Sequence, residues 1–231
     1  GLAAGFDKSA EVYNSLFRFG FGFIEVGTVT PKEQFGNPKP RVFRLEHDKA
    51  LINRLGFNND GVEKVSKRLQ KHSPSGYLGV NVGPNKDSKN RVDDYLNCIK
   101  VIHNLTNYIT INISSPNTPG LRDFHEQNIL KDLLKDITEF MKKNKINKPL
   151  ALKVSPDIND KEISNIIELM KKFSINGVIV SNTTDKNREN LRGVQKNEVG
   201  GLSGEPLNEI SNILIKKFYR ELKGAITIIG V

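Results

Sequence analysis

Several features are scarce or absent in this sequence, and each absence excludes a class of protein. Cys98 is the only cysteine, so no intrachain disulfide can form and a reducing compartment is favoured. No apolar run reaches the roughly 18 residues that a membrane-spanning helix needs. The four histidines lie far apart in the sequence without the spacing of metal ligands, so we expect no metal site. A hydrophobic core must therefore stabilise the chain.

The charge of the chain is unbalanced. Lysine and arginine number 35 against 26 aspartates and glutamates, which gives a net charge of +9. A basic protein often has an acidic partner. The basic residues are scattered over helix-like segments, however, without the arginine clusters or stacked aromatics of nucleic-acid readers. We therefore predict a solvated basic surface and no nucleic-acid partner, which leaves an anionic membrane surface or a small anionic ligand open.

The pattern of apolar residues predicts a parallel α/β fold. With 231 residues, 37% of them hydrophobic, the chain is large enough for one sizeable core, and we predict a single domain over residues 1–231. Strand-like runs alternate with helix-like segments throughout. The predicted strands are residues 1–5, 23–28, 77–82, 108–113, 150–154, 177–180 and 225–229. The predicted helices are one capped by Ser9 and those at 61–72, 92–104, 126–143, 160–173 and 206–222. Residues 36–56 read as a hairpin-like insertion.

Two architectures share this alternation, the doubly wound sheet and the (β/α)8 barrel. Polar or glycine residues end nearly every predicted strand of this chain. Barrel enzymes gather their sites from the C-terminal ends of many strands, whereas a doubly wound sheet uses mainly one switch point. We therefore predict a (β/α)8 TIM barrel with about seven of its strands present. Because the sequence starts and ends inside strand-like runs, we expect a fragment that lacks the last barrel unit and any membrane anchor.

The segment 108–122, YITINISSPNTPGLR, changes from a buried strand into a polar turn held by two prolines. An ordinary turn is one interpretation of it. Lys8 and Lys153 at other strand ends would attract an anion, although a single lysine in such a position often reaches solvent. Asparagines near the strand ends can each donate and accept a hydrogen bond, as recognition of a planar imide ring requires. They are Asn53, Asn81, Asn112, Asn117 and Asn182.

Segments spread over the whole chain, in order, resemble the signature segments of dihydroorotate dehydrogenases. They are GLAAGFDK (1–8), EVGTVTP (25–31), GNPKPRVFRL (36–45), INRLGFNNDG (52–61), NVGPNK (81–86), NISSPNTPGLR (112–122), VSNTT (180–184) and GGLSGEPL (200–207). The resemblance is to the quinone-linked class, whose catalytic base is a serine. The soluble class carries a cysteine at the position of Ser115.

This resemblance implies an FMN-binding barrel that oxidises (S)-dihydroorotate to orotate in pyrimidine synthesis and passes the electrons to a quinone. Ser115 would be the base, Thr118 would belong to its proton relay, and Phe57 would exclude water. The residues implied to line the flavin are Ala3, Ala4, Gly5, Lys8, Thr28, Asn81, Asn112, Lys153, Ser181, Gly204 and Gly230. Those implied to bind the substrate are Lys8, Asn53, Arg54, Leu55, Gly56, Phe57, Asn112, Asn117, Asn182 and Thr183.

The resemblance also implies a location and leaves two alternatives. Segments outside this chain would bind the protein peripherally to a membrane, either the cytoplasmic side of a bacterial inner membrane or the mitochondrial inner membrane. One alternative is another FMN barrel, such as a dihydropyrimidine or dihydrouridine dehydrogenase; Ser115 argues against it, because those enzymes place a cysteine there. The other is a noncatalytic, FMN-free barrel that binds an anionic metabolite.

Overall fold

A computed structural model describes all residues from Gly1 to Val231 and divides them into two compact units. Unit one comprises residues 1–36, 57–112 and 132–151, and unit two comprises residues 37–56, 113–131 and 152–231. The single domain predicted over residues 1–231 stays a prediction. None of the helices has the length and apolar character needed to span a bilayer.

Nine strands and six helices follow one another along the chain. The strands are β1 (Phe23–Val29), β2 (Val42–Leu45), β3 (Ala50–Asn53), β4 (Tyr77–Val82), β5 (Tyr108–Asn112), β6 (Leu150–Val154), β7 (Gly177–Val180), β8 (Gly201–Gly204) and β9 (Thr227–Gly230). The helices are α1 (Tyr13–Phe17), α2 (Val62–Lys71), α3 (Arg91–Ile102), α4 (Gln127–Lys143), α5 (Asp160–Lys172) and α6 (Glu205–Leu222). Short 3-10 turns lie at Glu46–Asp48, His103–Leu105 and Arg122–His125.

Unit one is built on three parallel strands in the order β1-β4-β5. Val26 pairs with Val80, and Val80 pairs with Ile109, and all three side chains are fully buried. Such continuous apolar runs are typical of parallel strands that are covered on both faces. Leu69 of α2 and Ile99 of α3 are buried on the apolar sides of these helices. The carboxyl ends of these strands therefore lie at one edge of a covered sheet.

Unit two contains a parallel group and a small antiparallel sheet. The parallel group has the order β6-β7-β9, of which β6 contributes its residues from Leu152 onward, and Val178 lies opposite Ile228. The antiparallel sheet has the order β2-β3-β8, so the predicted hairpin over residues 36–56 is confirmed and gains a third strand. Its own hydrophobic core consists of Phe43, Leu45, Ile52, Leu191 and Leu202. This sheet holds the insertion at a fixed place within unit two.

Three local predictions were wrong. Residues 1–5 make only an isolated parallel bridge between Leu2 and Ile24, because small residues and a positive φ at Gly5 break the extended run. Ser9 does not cap α1; its hydroxyl accepts the Asp60 N–H instead, while the Asp7 carboxylate accepts the N–H groups that precede α1. Residues 201–204 lie outside every predicted strand, yet they form β8 because β3 supplies a partner strand.

Candidate active site

Three polar side chains meet at the carboxyl ends of β1, β4 and β5 in unit one. Thr28 Oγ1 donates a 2.7 Å hydrogen bond to Asn81 Oδ1. Asn112 Nδ2 donates to Thr28 Oγ1 at 3.0 Å and to Asn81 Oδ1 at 3.2 Å. All three residues are buried. We call this group the amide cluster; it brings together three of the residues predicted to bind the cofactor.

Glu25, in the middle of β1, orients the amide cluster. Its Oε1 accepts from Asn81 Nδ2 at 2.9 Å, and its Oε2 accepts from Thr110 Oγ1 at 2.7 Å and from the Tyr108 hydroxyl at 3.0 Å. Burial and the neighbouring Glu25 charge raise the pKa of the Tyr108 phenol well above its usual range. The side-chain amide of Asn81 is therefore fixed with its oxygen towards Thr28. Sequence reasoning missed Glu25, although a charged residue inside an apolar strand was a usable signal.

The chain start lies beside β1 in unit one. The Gly5 N–H donates to the Gly27 carbonyl at 2.9 Å. A Cβ added to Gly5 would have only Lys8 Nζ within 4 Å, at 4.0 Å, so the space above this glycine is open next to an ammonium group. Ala3, Ala4 and Lys8 are half-buried. This arrangement leaves room for a ligand with anionic or electron-rich character.

Phe57 also belongs to unit one and is buried, with a positive φ of 53°. Its carbonyl accepts from Asn59 Nδ2 at 2.8 Å, which holds the backbone in this conformation. A Cβ placed on Gly83 would lie 3.0 Å from the Phe57 ring and 2.9 Å from Thr28 Cγ2. The ring therefore packs closely on the backbone just after β4, next to the amide cluster. Its predicted role in excluding water stays a prediction.

The predicted base lies in unit two, in the loop after β5. Ser115 is buried, and its Oγ accepts the Asn117 N–H at 3.2 Å. Asn117 Nδ2 in turn donates to the Asn53 carbonyl at 3.1 Å and to Asn53 Oδ1 at 3.3 Å. Thr118, three residues after Ser115, is buried as well. The structure thus joins the base-bearing loop to the end of β3, where a predicted substrate residue lies.

A second loop of unit two, after β7, carries the other predicted substrate residues. Asn182 Nδ2 donates to Ser114 Oγ at 2.9 Å, and Asn182 Oδ1 accepts the Thr183 N–H at 2.8 Å. A Cβ added to Gly201 would lie 1.9 Å from Thr183 Oγ1, so β8 packs directly against this loop. Asn53, Asn117, Asn182 and Thr183 are half-buried, so each keeps part of its surface accessible to a ligand.

The remaining predicted residues of unit two differ in how far they are exposed to solvent. Lys153, at the end of β6, is only 6% exposed, so the alternative that it reaches solvent is wrong. Ser181 is buried, whereas Gly230 is exposed at the end of β9. Gly204 has φ +99°, and a Cβ there would lie 2.3 Å from the Lys49 carbonyl oxygen. An ammonium group is costly to bury, so a buried Lys153 is a stronger candidate for a functional group than a lysine that reaches solvent.

The segment 54–56 connects β3 to Phe57. The Arg54 guanidinium pairs with Glu198 at 2.6 Å and stacks 4.4 Å above the Phe43 ring. The Leu55 N–H donates to Asn53 Oδ1 at 3.4 Å, and Gly56 has a positive φ beside Asn37. The predicted substrate contacts of Arg54, Leu55 and Gly56 stay predictions, and the side chain of Arg54 is already engaged elsewhere.

Two further residues of unit two were missed by sequence reasoning, Arg122 and His125. His125 Nε2 accepts the Ser155 N–H at 3.3 Å, and Nδ1 lies 2.9 Å from the Arg122 carbonyl oxygen. The ring is therefore neutral with its proton on Nδ1, and burial lowers its pKa below the usual value. No group of three His, Cys, Asp or Glu side chains is arranged to hold a metal ion.

Comparison with known proteins decides the family. The family model for dihydroorotate dehydrogenase matches residues 1–231, the whole chain. The chain belongs to the dihydroorotate dehydrogenase family. Relatives named dihydroorotate dehydrogenase (quinone) from Bartonella henselae and Bartonella tribocorum are each 50% identical to all of this chain, and one from Bradyrhizobium diazoefficiens is 46% identical. The chain spans 65% of the length of each of these curated relatives.

Solved structures of the family agree with this assignment. The structure of Eimeria tenella DHODH in complex with ferulenol has a TM-score of 0.95 and 39% identity, and the match covers 99% of this chain and 68% of that one. The ligand-free form has the same score and identity over 100% of this chain and 72% of that one. The predicted family and the predicted α/β barrel class are therefore confirmed. Dihydroorotate dehydrogenases carry a flavin.

Proposed function

We propose that the protein containing this chain is a quinone-linked dihydroorotate dehydrogenase. It would oxidise (S)-dihydroorotate to orotate in pyrimidine synthesis, with FMN as the cofactor and a quinone as the final acceptor. The main support for the proposal is the position of Ser115. It is buried, its Oγ accepts the Asn117 N–H, and the Asn117 side chain donates a hydrogen bond to the Asn53 carbonyl. The names of the curated relatives and the serine at the base position both support the quinone-linked class.

The polar side chains of unit one support the flavin part of the proposal. The amide cluster offers donors and acceptors that Glu25 has already oriented, and the open space over Gly5 lies next to Lys8. In the proposal Thr28, Asn81, Asn112 and Lys8 of unit one hold the ring. For unit two, taken by itself, the proposal assigns Lys153 and Ser181 to the flavin. When bound, FMN would supply an acceptor for the hydride that the substrate loses. The Lys153 ammonium would stabilise negative charge that builds up during this transfer.

Ser115 would take the proton that dihydroorotate loses from C5. A serine hydroxyl is a weak base near neutral pH, so it needs a route by which its own proton leaves. Thr118 is buried three residues away and would belong to this relay. The Asn117 N–H that donates to Ser115 Oγ would stabilise negative charge on that oxygen as the proton moves. Phe57 would keep bulk water out.

Substrate recognition would use the amides of unit two. Asn53, Asn117 and Asn182 each have one donor and one acceptor group, which matches the alternating N–H and C=O edges of a pyrimidine ring. Each is held by at least one hydrogen bond within unit two, so little side-chain freedom is lost on binding. The Thr183 N–H is fixed by Asn182.

The partners and location belong to the same proposal. Dihydroorotate, orotate and a quinone are the small-molecule partners, and no nucleic acid is involved. Peripheral attachment, by segments outside this chain, would place the enzyme on the cytoplasmic side of a bacterial inner membrane or on the mitochondrial inner membrane. A noncatalytic, FMN-free barrel is the contrasting possibility, and flavin content separates the two.

Replacement of Ser115 by Ala tests the proposal. Full-length wild-type protein should purify yellow, and dihydroorotate should bleach the flavin without oxygen. Ser115→Ala should keep its FMN but lose about 10²- to 10⁴-fold in the reduction rate, the usual contribution of a general base. Ser164→Ala, at an exposed position of α5, is the matched control and should behave as wild type. A colourless or unreducible wild type would refute the function; an unaffected Ser115→Ala would remove only the role of Ser115.

A further inference from the structure

Arg122 spans three segments of unit two with one guanidinium group. Its Nε donates to the Ser114 carbonyl at 3.4 Å, and its Nη2 donates to the Thr183 carbonyl at 3.1 Å. Its Nη1 lies 3.0 Å from Asp185 Oδ1 and 3.0 Å from Asp157 Oδ2. All three nitrogens are thus directed at protein oxygens, an arrangement that needs the planar fork of arginine.

The two carbonyl groups that Arg122 binds belong to the two loops of the candidate site. Ser114 directly precedes Ser115, the proposed base, and Thr183 is a proposed substrate residue. The same loops are joined a second time by the hydrogen bond from Asn182 Nδ2 to Ser114 Oγ. The Arg122 side chain is three-quarters buried, with 23% exposure. It therefore acts on the site through the two loops that it connects.

The charges around Arg122 keep its guanidinium in place. Asp157 also accepts from Thr184 Oγ1 at 2.5 Å, so the loop after β6 is tied to the loop after β7. Partial burial of Asp185 opposes its ionisation, but the charge and hydrogen bond of Arg122 outweigh burial and hold the pKa of this carboxyl below its usual value. The neighbouring His125 ring is neutral and adds no competing charge. One cation thus lies between two carboxylates.

We propose that Arg122 is a positioning residue that sets the distance between the base-bearing loop, residues 114–118, and the substrate-binding loop, residues 181–184. This inference rests on the proposed function, because it assigns the two loops to proton abstraction and substrate binding. Loss of the two carbonyl contacts moves Ser115 relative to the bound ring. A shift of about 1 Å in such a geometry lowers a rate by up to roughly a hundredfold.

Arg122→Lys separates this role from a purely structural one. A lysine keeps the positive charge between Asp157 and Asp185, but it has no planar fork to reach both carbonyls. In full-length protein we measure flavin content, flavin reduction by dihydroorotate without oxygen, and orotate binding from the change in flavin absorbance. Arg122→Met removes the charge as well. Arg220→Lys and Arg220→Met, at an exposed position of α6, are matched controls.

The proposal predicts that Arg122→Lys keeps the flavin and the melting temperature of wild type. Its reduction rate per bound flavin should fall about ten- to a hundredfold, and orotate should bind more weakly. Wild-type reduction per bound flavin and wild-type orotate affinity in Arg122→Lys would overturn the proposal. Failure of Arg122→Lys to yield any flavin-loaded protein would overturn it too, because the residue would then serve folding alone. A wild type that dihydroorotate does not reduce would instead overturn the proposed function, and this inference with it.

Discussion

Burial decides the charge of His125, and the consequence is a pH-dependent stability. The ring accepts the Ser155 N–H and contacts the Arg122 carbonyl, and burial lowers its pKa below the ordinary 6.5. Above about pH 6.5 the ring is neutral in both the folded and the unfolded chain. Below that value the unfolded chain takes up a proton that the folded chain resists. Stability is therefore present above about pH 6.5 and is lost as the pH falls towards the lowered folded pKa.

His125→Gln should remove this pH dependence. Glutamine can still accept the Ser155 N–H but does not titrate. Between pH 7.5 and 5.5 the free energy of unfolding of full-length wild type should fall relative to that of the variant, by at most about 1.4 kcal/mol per pH unit for one proton. Urea denaturation at the two pH values measures the difference. A difference between the two proteins that does not change with pH would contradict the assignment of a buried neutral ring.

At the scale of elements, strand β8 supports the substrate-binding loop. β8 pairs with β3 along its whole length, and its Leu202 exchanges hydrogen bonds with Thr184. A methyl group on Gly201 would lie 1.9 Å from Thr183 Oγ1 and 3.2 Å from Pro116. Since β8 is held on both sides, its backbone cannot move away cheaply. Any added side chain must therefore displace Thr183.

Gly201→Ala should for this reason weaken ligand binding. We expect orotate affinity to fall about tenfold or more, and stability to fall by about 1–3 kcal/mol, the usual range for overpacking. Orotate titration of the flavin absorbance in full-length protein measures the first quantity, and urea denaturation measures the second. Gly22→Ala is the matched control, because nothing lies within 4 Å of its added Cβ and its φ is not positive. Equal orotate affinity in both variants would show that Thr183 does not bind the ligand.

The elements also show where sequence reasoning succeeds. The predicted strands at residues 77–82, 150–154 and 177–180 agree with β4, β6 and β7 residue for residue, because buried parallel strands are continuous apolar runs bounded by turn residues. β8 was missed because GLSG has little strand propensity and owes its conformation to a partner that is distant in the sequence.

The same limit applies to the candidate site. Strand-end residues such as Asn81 and Asn112 could be predicted, since the carboxyl ends of parallel strands meet at one edge. Arg122 could not be predicted, because its role depends on the two carbonyl groups that its side chain contacts only in the folded chain. Glu25 could be predicted only in part. Its position in an apolar strand is visible in the sequence, but the three side chains that donate hydrogen bonds to its carboxylate are not.

At the scale of the whole molecule, the electron acceptor distinguishes the classes of this family. The chain spans 65% of the length of its curated relatives, so the acceptor must be tested on the full-length protein. We expect a short-chain quinone to reoxidise the reduced flavin at least about tenfold faster than fumarate or a nicotinamide, because Ser115 stands where the soluble class has a cysteine. Stopped-flow reoxidation measures these rates. If fumarate or a nicotinamide proved the better acceptor, the quinone-linked class and the proposed membrane location would both be lost, while dihydroorotate oxidation, which needs only the site itself, would stand.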